Sequence, residues 1–159
     1  MKQFLVTTFF LLVAFTSHPQ PIKKVKVEDI IKMMDTVTCP LVINFWASWC
    51  APCVHEIPWL ESNIENLKEQ GVKLLLVNLD LPIDYKNHLA NFIKKEKYTA
   101  EVVWLDERNM SRYTKQLDSS WNNTIPVTIM VNNKKGYKQF YHQQLPEAQL
   151  RLALQKLLN

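Results

Sequence analysis

The spacing of apolar residues changes repeatedly along the chain, and each change marks an element. Val27, Ile30, Ile31 and Met34 recur at helical intervals, which predicts a helix over 27–34. Pro40 then precedes a short apolar run over 41–46, interrupted only by Asn44, which reads as a buried strand. A sharp turn over 47–49 leads into Cys50. Helical periodicity resumes through Ile57, Leu60, Ile64 and Leu67 and ends near Gly71, a natural C-cap. Residues 72–79 form a second buried run. Asp84 is placed to cap a helix that carries Leu89, Phe92 and Ile93 on one face. A short strand is expected over 101–105 and a short helix over 109–117. A strand over 127–131, a turn over 132–136 and a partner strand over 137–141 make a hairpin. Pro146 opens a last helix through Leu150, Leu154, Leu157 and Leu158.

From residue 41 the order is β-α-β-α-β-α-β-β-α. Strands alternating with helices imply parallel pairing in a layered α/β sheet, with the last hairpin as an antiparallel edge.

The N-terminus follows a different pattern. Lys2 precedes residues 4–15, which are apolar except for Thr7 and Thr8, and six polar or proline residues follow. That run suits an export signal and is short for a membrane span. The expected division is a signal peptide or membrane anchor over 1–17, a linker over 18–23 and one domain over 24–159. The expected location is periplasmic or otherwise extracytoplasmic.

Composition narrows the function. A chain of 159 residues with 47% apolar and 21% charged residues suits one globular domain. Its two glycines, Gly71 and Gly136, cannot build a glycine-rich phosphate cradle. The net charge is +4, and the lysines cluster at 23–26 and 94–97. Both clusters read as solvated faces, so no nucleic-acid partner is expected.

The chemistry concentrates in Trp49-Cys50-Ala51-Pro52-Cys53. Two cysteines separated by two residues can bridge one helical turn. At a strand-to-helix junction the first sulfur meets the positive end of the helix dipole, which favours its thiolate. Cys50 is the expected nucleophile and Cys53 the resolving thiol, acting through a mixed disulfide with the substrate. Half of a zinc site and a purely structural disulfide are the competing readings. The first lacks a second closely spaced cysteine pair, and the second would close a minimal loop.

The segment from Asn44 to Cys53 resembles the thioredoxin superfamily. Glu56-Ile57-Pro58, Asn78-Leu79-Asp80, Leu105-Asp106, Trp121 and Ile125-Pro126 are similar to its TlpA/ResA-like branch of exported disulfide reductases, of the Bacteroidetes type. The resemblance covers about residues 24–158. It implies a thioredoxin-like fold: a central mixed β-sheet flanked by helices, with an αβ insertion before a cis-proline loop. Pro126 matches the cis-proline, the alternative being an ordinary trans proline before a strand.

Glu56 matches the branch's acidic residue. It lies three residues past Cys53, on the same helix face, where a carboxylate can exchange a proton with Cys53; a solvated helix carboxylate is the alternative. Asn44 stands where cytoplasmic thioredoxins carry a buried Asp, which leaves Glu56 the better acid. The catalytic set is therefore Cys50, Cys53 and Glu56, and the substrate-binding set is Trp49, Ala51, Pro52, Ile125 and Pro126. No metal and no cofactor are expected. Pro58 should kink its helix.

Trp49 and Trp121 each fit either the site or the core, and His55 falls on a different helix face from Cys53. Cys39 lies about 20 Å from Cys50 along the intervening strand, which leaves it free or paired with another molecule. Branch members often carry glycine where this chain has His142-Gln143-Gln144, a departure expected to affect only the far edge.

The expected activity is reduction of disulfides in exported proteins, with electrons from a membrane donor and the chain acting as a monomer. Ala51-Pro52 adds no charge to stabilise the Cys50 thiolate, which favours a reductant over an oxidant. A redox-inert module that binds peptides or copper is the alternative.

Overall fold

The computed structural model describes residues 22–159. The expected signal or anchor and most of the expected linker lie outside the described residues. Among the described residues no helix is long and apolar enough to cross a membrane.

A six-stranded sheet runs through the domain in the order β1-β4-β3-β2-β5-β6. Its strands are β1 (Lys23–Val25), β2 (Leu41–Trp46), β3 (Lys73–Asn78), β4 (Glu101–Leu105), β5 (Val127–Asn132) and β6 (Tyr137–Tyr141). The first four pair in parallel, and β5 and β6 add the antiparallel edge. The helices are α1 (Val27–Thr36), α2 (Ala51–Glu65), α3 (Pro82–Asn87), α4 (Leu89–Glu96), α5 (Met110–Leu117) and α6 (Glu147–Leu158).

Alternation along β2 sorts its side chains into two layers. Ile43 and Phe45 face a core that includes Ile30 and Met34 of α1 and Tyr113 and Leu117 of α5. Val42 and Trp46 face the opposite side, where α2, α4 and α6 pack. The mixed sheet flanked by helices is the architecture expected from the sequence.

Three elements differ from expectation. Lys23–Val25 forms a strand beside β4, overlapping the last residue of the expected linker. Three residues, two of them lysine, are too few to register as a strand pattern. The helix expected after Asp84 is two helices that meet at His88, where φ is −128°. Pro82 opens α3 and Leu81 caps it, so Asp84 sits in the first turn and is not the cap. Finally, α2 stops at Glu65, and Gly71 closes a separate 3-10 turn at φ 74°.

These elements place β2 and β3 side by side with Trp46 opposite Asn78 at their C-terminal ends. The cysteine motif leaves the sheet at that edge.

Candidate active site

Cys50 and Cys53 form a disulfide with Cα atoms 5.3 Å apart. Cys50 is the N-cap residue of α2, so its sulfur lies at the helix's positive end. Cys50 is 6% exposed and Cys53 is fully buried. Ala51 and Pro52 are exposed in the first helical turn. Trp49 is 66% exposed, which places it on the surface and not in the core.

Glu56 is fully buried one turn past Cys53. Asn44 Nδ2 donates to its Oε1 at 2.8 Å, and the Leu145 N–H donates to its Oε2 at 3.0 Å. The same Asn44 nitrogen also donates to Thr128 Oγ1 at 3.0 Å. Burial outweighs these two donors and raises the Glu56 pKa from 4.5 to about 7. A carboxyl that ionises near neutrality is suited to passing protons at working pH.

The Ile125–Pro126 peptide is cis. Ile125 packs against the cluster that holds Cys50, Cys53 and Trp46. Trp121 lies fully buried on the other side of the sheet, edge-on to Phe45 with ring centroids 4.9 Å apart. Its indole N–H donates to the Thr124 carbonyl at 2.8 Å, so it supports the Pro126 loop from within the core. His55 is turned toward Trp59, with ring centroids 4.8 Å apart, and toward Gln144. Cys39 is a half-buried free thiol.

The His142–Gln144 stretch does not sit at a far edge, contrary to expectation. Gln144 Nε2 donates to the Pro52 carbonyl at 3.1 Å and lies 3.3 Å from His55 Nδ1. Leu145 bonds Glu56, and its carbonyl accepts from Trp59 Nε1 at 3.1 Å. The segment therefore closes over the first turns of α2. Sequence reasoning also assigned Asp80 no role, although its Oδ1 accepts the Ser48 N–H at 2.8 Å. Both contacts join residues far apart in sequence, and no local pattern announces them.

A family model described as AhpC/TSA matches residues 13–136. The thiol-disulfide oxidoreductase ResA of Bacillus subtilis is 28% identical over 102 residues, covering 64% of this chain and 52% of ResA. The sporulation thiol-disulfide oxidoreductase A of the same organism is 32% identical over 94 residues, covering 58% of this chain and 53% of that protein. The chain thus spans about half the length of the curated relatives it matches. The crystal structure of StoA from Bacillus subtilis superposes with a TM-score of 0.52 at 26% identity, covering 72% of this chain and 81% of StoA. A thioredoxin-related protein from Neisseria meningitidis serogroup B shares the fold, with a TM-score of 0.64 at 22% identity over 78% of this chain and 89% of that one. The match across most of the sequence, on a thioredoxin-like fold with a paired Cys-Ala-Pro-Cys motif, means that the chain belongs to the AhpC/TSA family of the thioredoxin superfamily.

Proposed function

We propose that the chain is an extracytoplasmic thiol–disulfide oxidoreductase that reduces disulfides in exported proteins. The observation that carries this reading is a disulfide capping α2 with a buried carboxyl of raised pKa one turn behind it. In the reduced chain, the Cys50 thiolate attacks one sulfur of a substrate disulfide, and the other substrate sulfur leaves as a thiolate that takes a proton. Cys53 gives its proton to the Glu56 carboxylate and attacks the Cys50 sulfur. The second substrate thiol leaves, and the Cys50–Cys53 disulfide forms. Two electrons pass to the substrate. A membrane-borne dithiol donor restores the reduced chain.

Trp49, Ala51 and Pro52 border Cys50, and Ile125 packs on the disulfide cluster. These residues and Pro126 would receive an extended substrate segment. The N-terminal apolar stretch supports export or anchoring. Residues 1–17 would be the signal or anchor, 18–23 the linker and 24–159 the catalytic domain, working as a monomer.

The test is the reduction potential of the Cys50–Cys53 couple, measured in glutathione and dithiothreitol buffers. The expected value lies clearly below about −220 mV. A value near −120 mV would mark an oxidant. Lack of a reversible couple would overturn the enzyme reading in favour of a redox-inert peptide- or copper-binding module.

A further inference from the structure

A second buried carboxyl stands beside the site, outside the mechanism above. Asp80 is 3% exposed. Its N–H donates to Asn78 Oδ1 at 3.0 Å, and its carbonyl accepts from Trp104 Nε1 at 2.8 Å. The neighbouring Leu79 N–H donates to the Trp46 carbonyl at 2.8 Å. The Leu79–Asp80 backbone is therefore tied to β2 through Trp46 and to β4 through Trp104. Asp80 Oδ1 accepts the Ser48 N–H at 2.8 Å. Ser48 lies within the turn in which Cys50 N–H donates to the Ala47 carbonyl at 3.1 Å. One carboxyl oxygen thus braces the turn that delivers Cys50 to the start of α2.

The other oxygen, Oδ2, is buried without a hydrogen-bond partner among the described residues. No salt bridge among the described residues includes Asp80. A buried carboxylate with an unpaired oxygen is costly. Bracing a turn does not require that cost, because a neutral amide oxygen would accept the same N–H. The charge itself has a consequence. It is bonded to a residue two positions from Cys50, and a negative charge there disfavours the Cys50 thiolate while leaving the uncharged disulfide alone. The dithiol form is then less stable relative to the disulfide, and the couple becomes more reducing.

We propose that Asp80 is a positioning residue of the Cys50–Cys53 couple: its Oδ1 sets the 47–49 turn, and its charge holds the couple toward the reducing end. The proposal rests on the oxidoreductase reading. Glu56 and His55 follow Cys53 on α2, and Tyr85 and Tyr98 pack against the apolar cluster that holds the disulfide. They are the same in every variant below, so differences report Asp80 alone.

Full chains of wild type, Asp80→Asn and Asp80→Ala are equilibrated at neutral pH with dithiothreitol and glutathione buffers, and the dithiol-to-disulfide ratio is read. Hydrogen exchange of the Ser48 amide is followed in each oxidised chain. Asp80→Asn keeps an oxygen for Ser48 and loses the charge. The expected result is slow Ser48 exchange, as in wild type, with a dithiol-to-disulfide ratio about tenfold higher, or about 30 mV less negative. Asp80→Ala should shift the ratio in the same direction and also speed Ser48 exchange at least about tenfold. A reversible Asp80→Asn couple with the wild-type potential overturns the charge role, and this variant decides the point even where Asp80→Ala fails to fold. Equal Ser48 protection in a folded Asp80→Ala chain overturns the bracing role. A wild-type chain with no reversible couple instead overturns the oxidoreductase reading, while Ser48 exchange still decides the brace.

Discussion

At the scale of single residues, the proposed chemistry depends on how two opposing effects balance at Glu56. Its two hydrogen-bond donors favour the carboxylate, and burial favours the neutral acid. Burial wins, and the group ionises near 7. A Glu56→Gln chain keeps the shape and loses the proton acceptor. Resolution of a mixed disulfide by Cys53 should slow about 10²-fold, the lower end for general acid–base catalysis. Alkylation of Cys50 should change far less than resolution, because in the proposed mechanism the Cys50 attack passes no proton to Glu56. Quenched time courses with a disulfide peptide measure the first rate and iodoacetamide the second; unchanged resolution would remove Glu56 from the catalytic set. Spacing marks Cys50 and Cys53 in the sequence, and the resemblance to the TlpA/ResA-like branch, supported by the helical offset from Cys53, marks Glu56. Neither signal reaches Leu145, which bonds Glu56, or Asp80, which bonds Ser48. Those contacts span 89 and 32 residues and depend on how the segment before α6 and the β3–α3 loop close on the site.

At the scale of elements, legibility follows length and contrast. Strands β2, β3 and β5 are nearly continuous apolar runs, and α6 repeats leucine at 150, 154, 157 and 158, so each is evident in the amino-acid pattern itself. The three residues of β1 form a strand by pairing in parallel with β4, a contact distant in sequence. Pro82 starts α3 ahead of the point an Asp84 cap would allow, and the break at His88, where φ is −128°, leaves no mark in the apolar spacing. The 109–117 segment is legible as a helix, and its first residue proves to be the cap: Asn109 Oδ1 accepts the Arg112 N–H at 3.1 Å. Asn109→Ala should therefore cost about 1 kcal/mol of stability. The reduction potential should not change, since α5 packs on the sheet face opposite the disulfide. Urea denaturation beside a redox titration checks both. A shifted potential would mean that α5 communicates with the site.

At the scale of the whole molecule, the proposed catalytic acid and the fold's stability are linked through one proton. Glu56 lies where β2, α2 and the segment before α6 meet, so the closed fold itself supplies the burial that raises its pKa. In the unfolded chain the group returns to about 4.5. Between pH 4.5 and 7 the folded state therefore binds more protons than the unfolded state, and rising pH weakens the fold. The contribution is fully present below about 4.5, is lost through the window up to about 7, and is level above it. A shift of this size corresponds to about 3 kcal/mol. Other groups titrate over the same range, so the informative quantity is a difference between two chains. Glu56→Gln carries no charge at any pH and should gain on wild type by up to about 3 kcal/mol between about pH 4 and pH 8. Denaturant midpoints of the two oxidised chains across that range measure it. Parallel curves would mean that Glu56 is ordinarily acidic in the folded chain, and its role as proton carrier for Cys53 would fall with the shift. Curves that diverge upward through pH 4.5–7 would mean that the chain accepts a loss of stability at neutral pH in exchange for an acid tuned to its reaction.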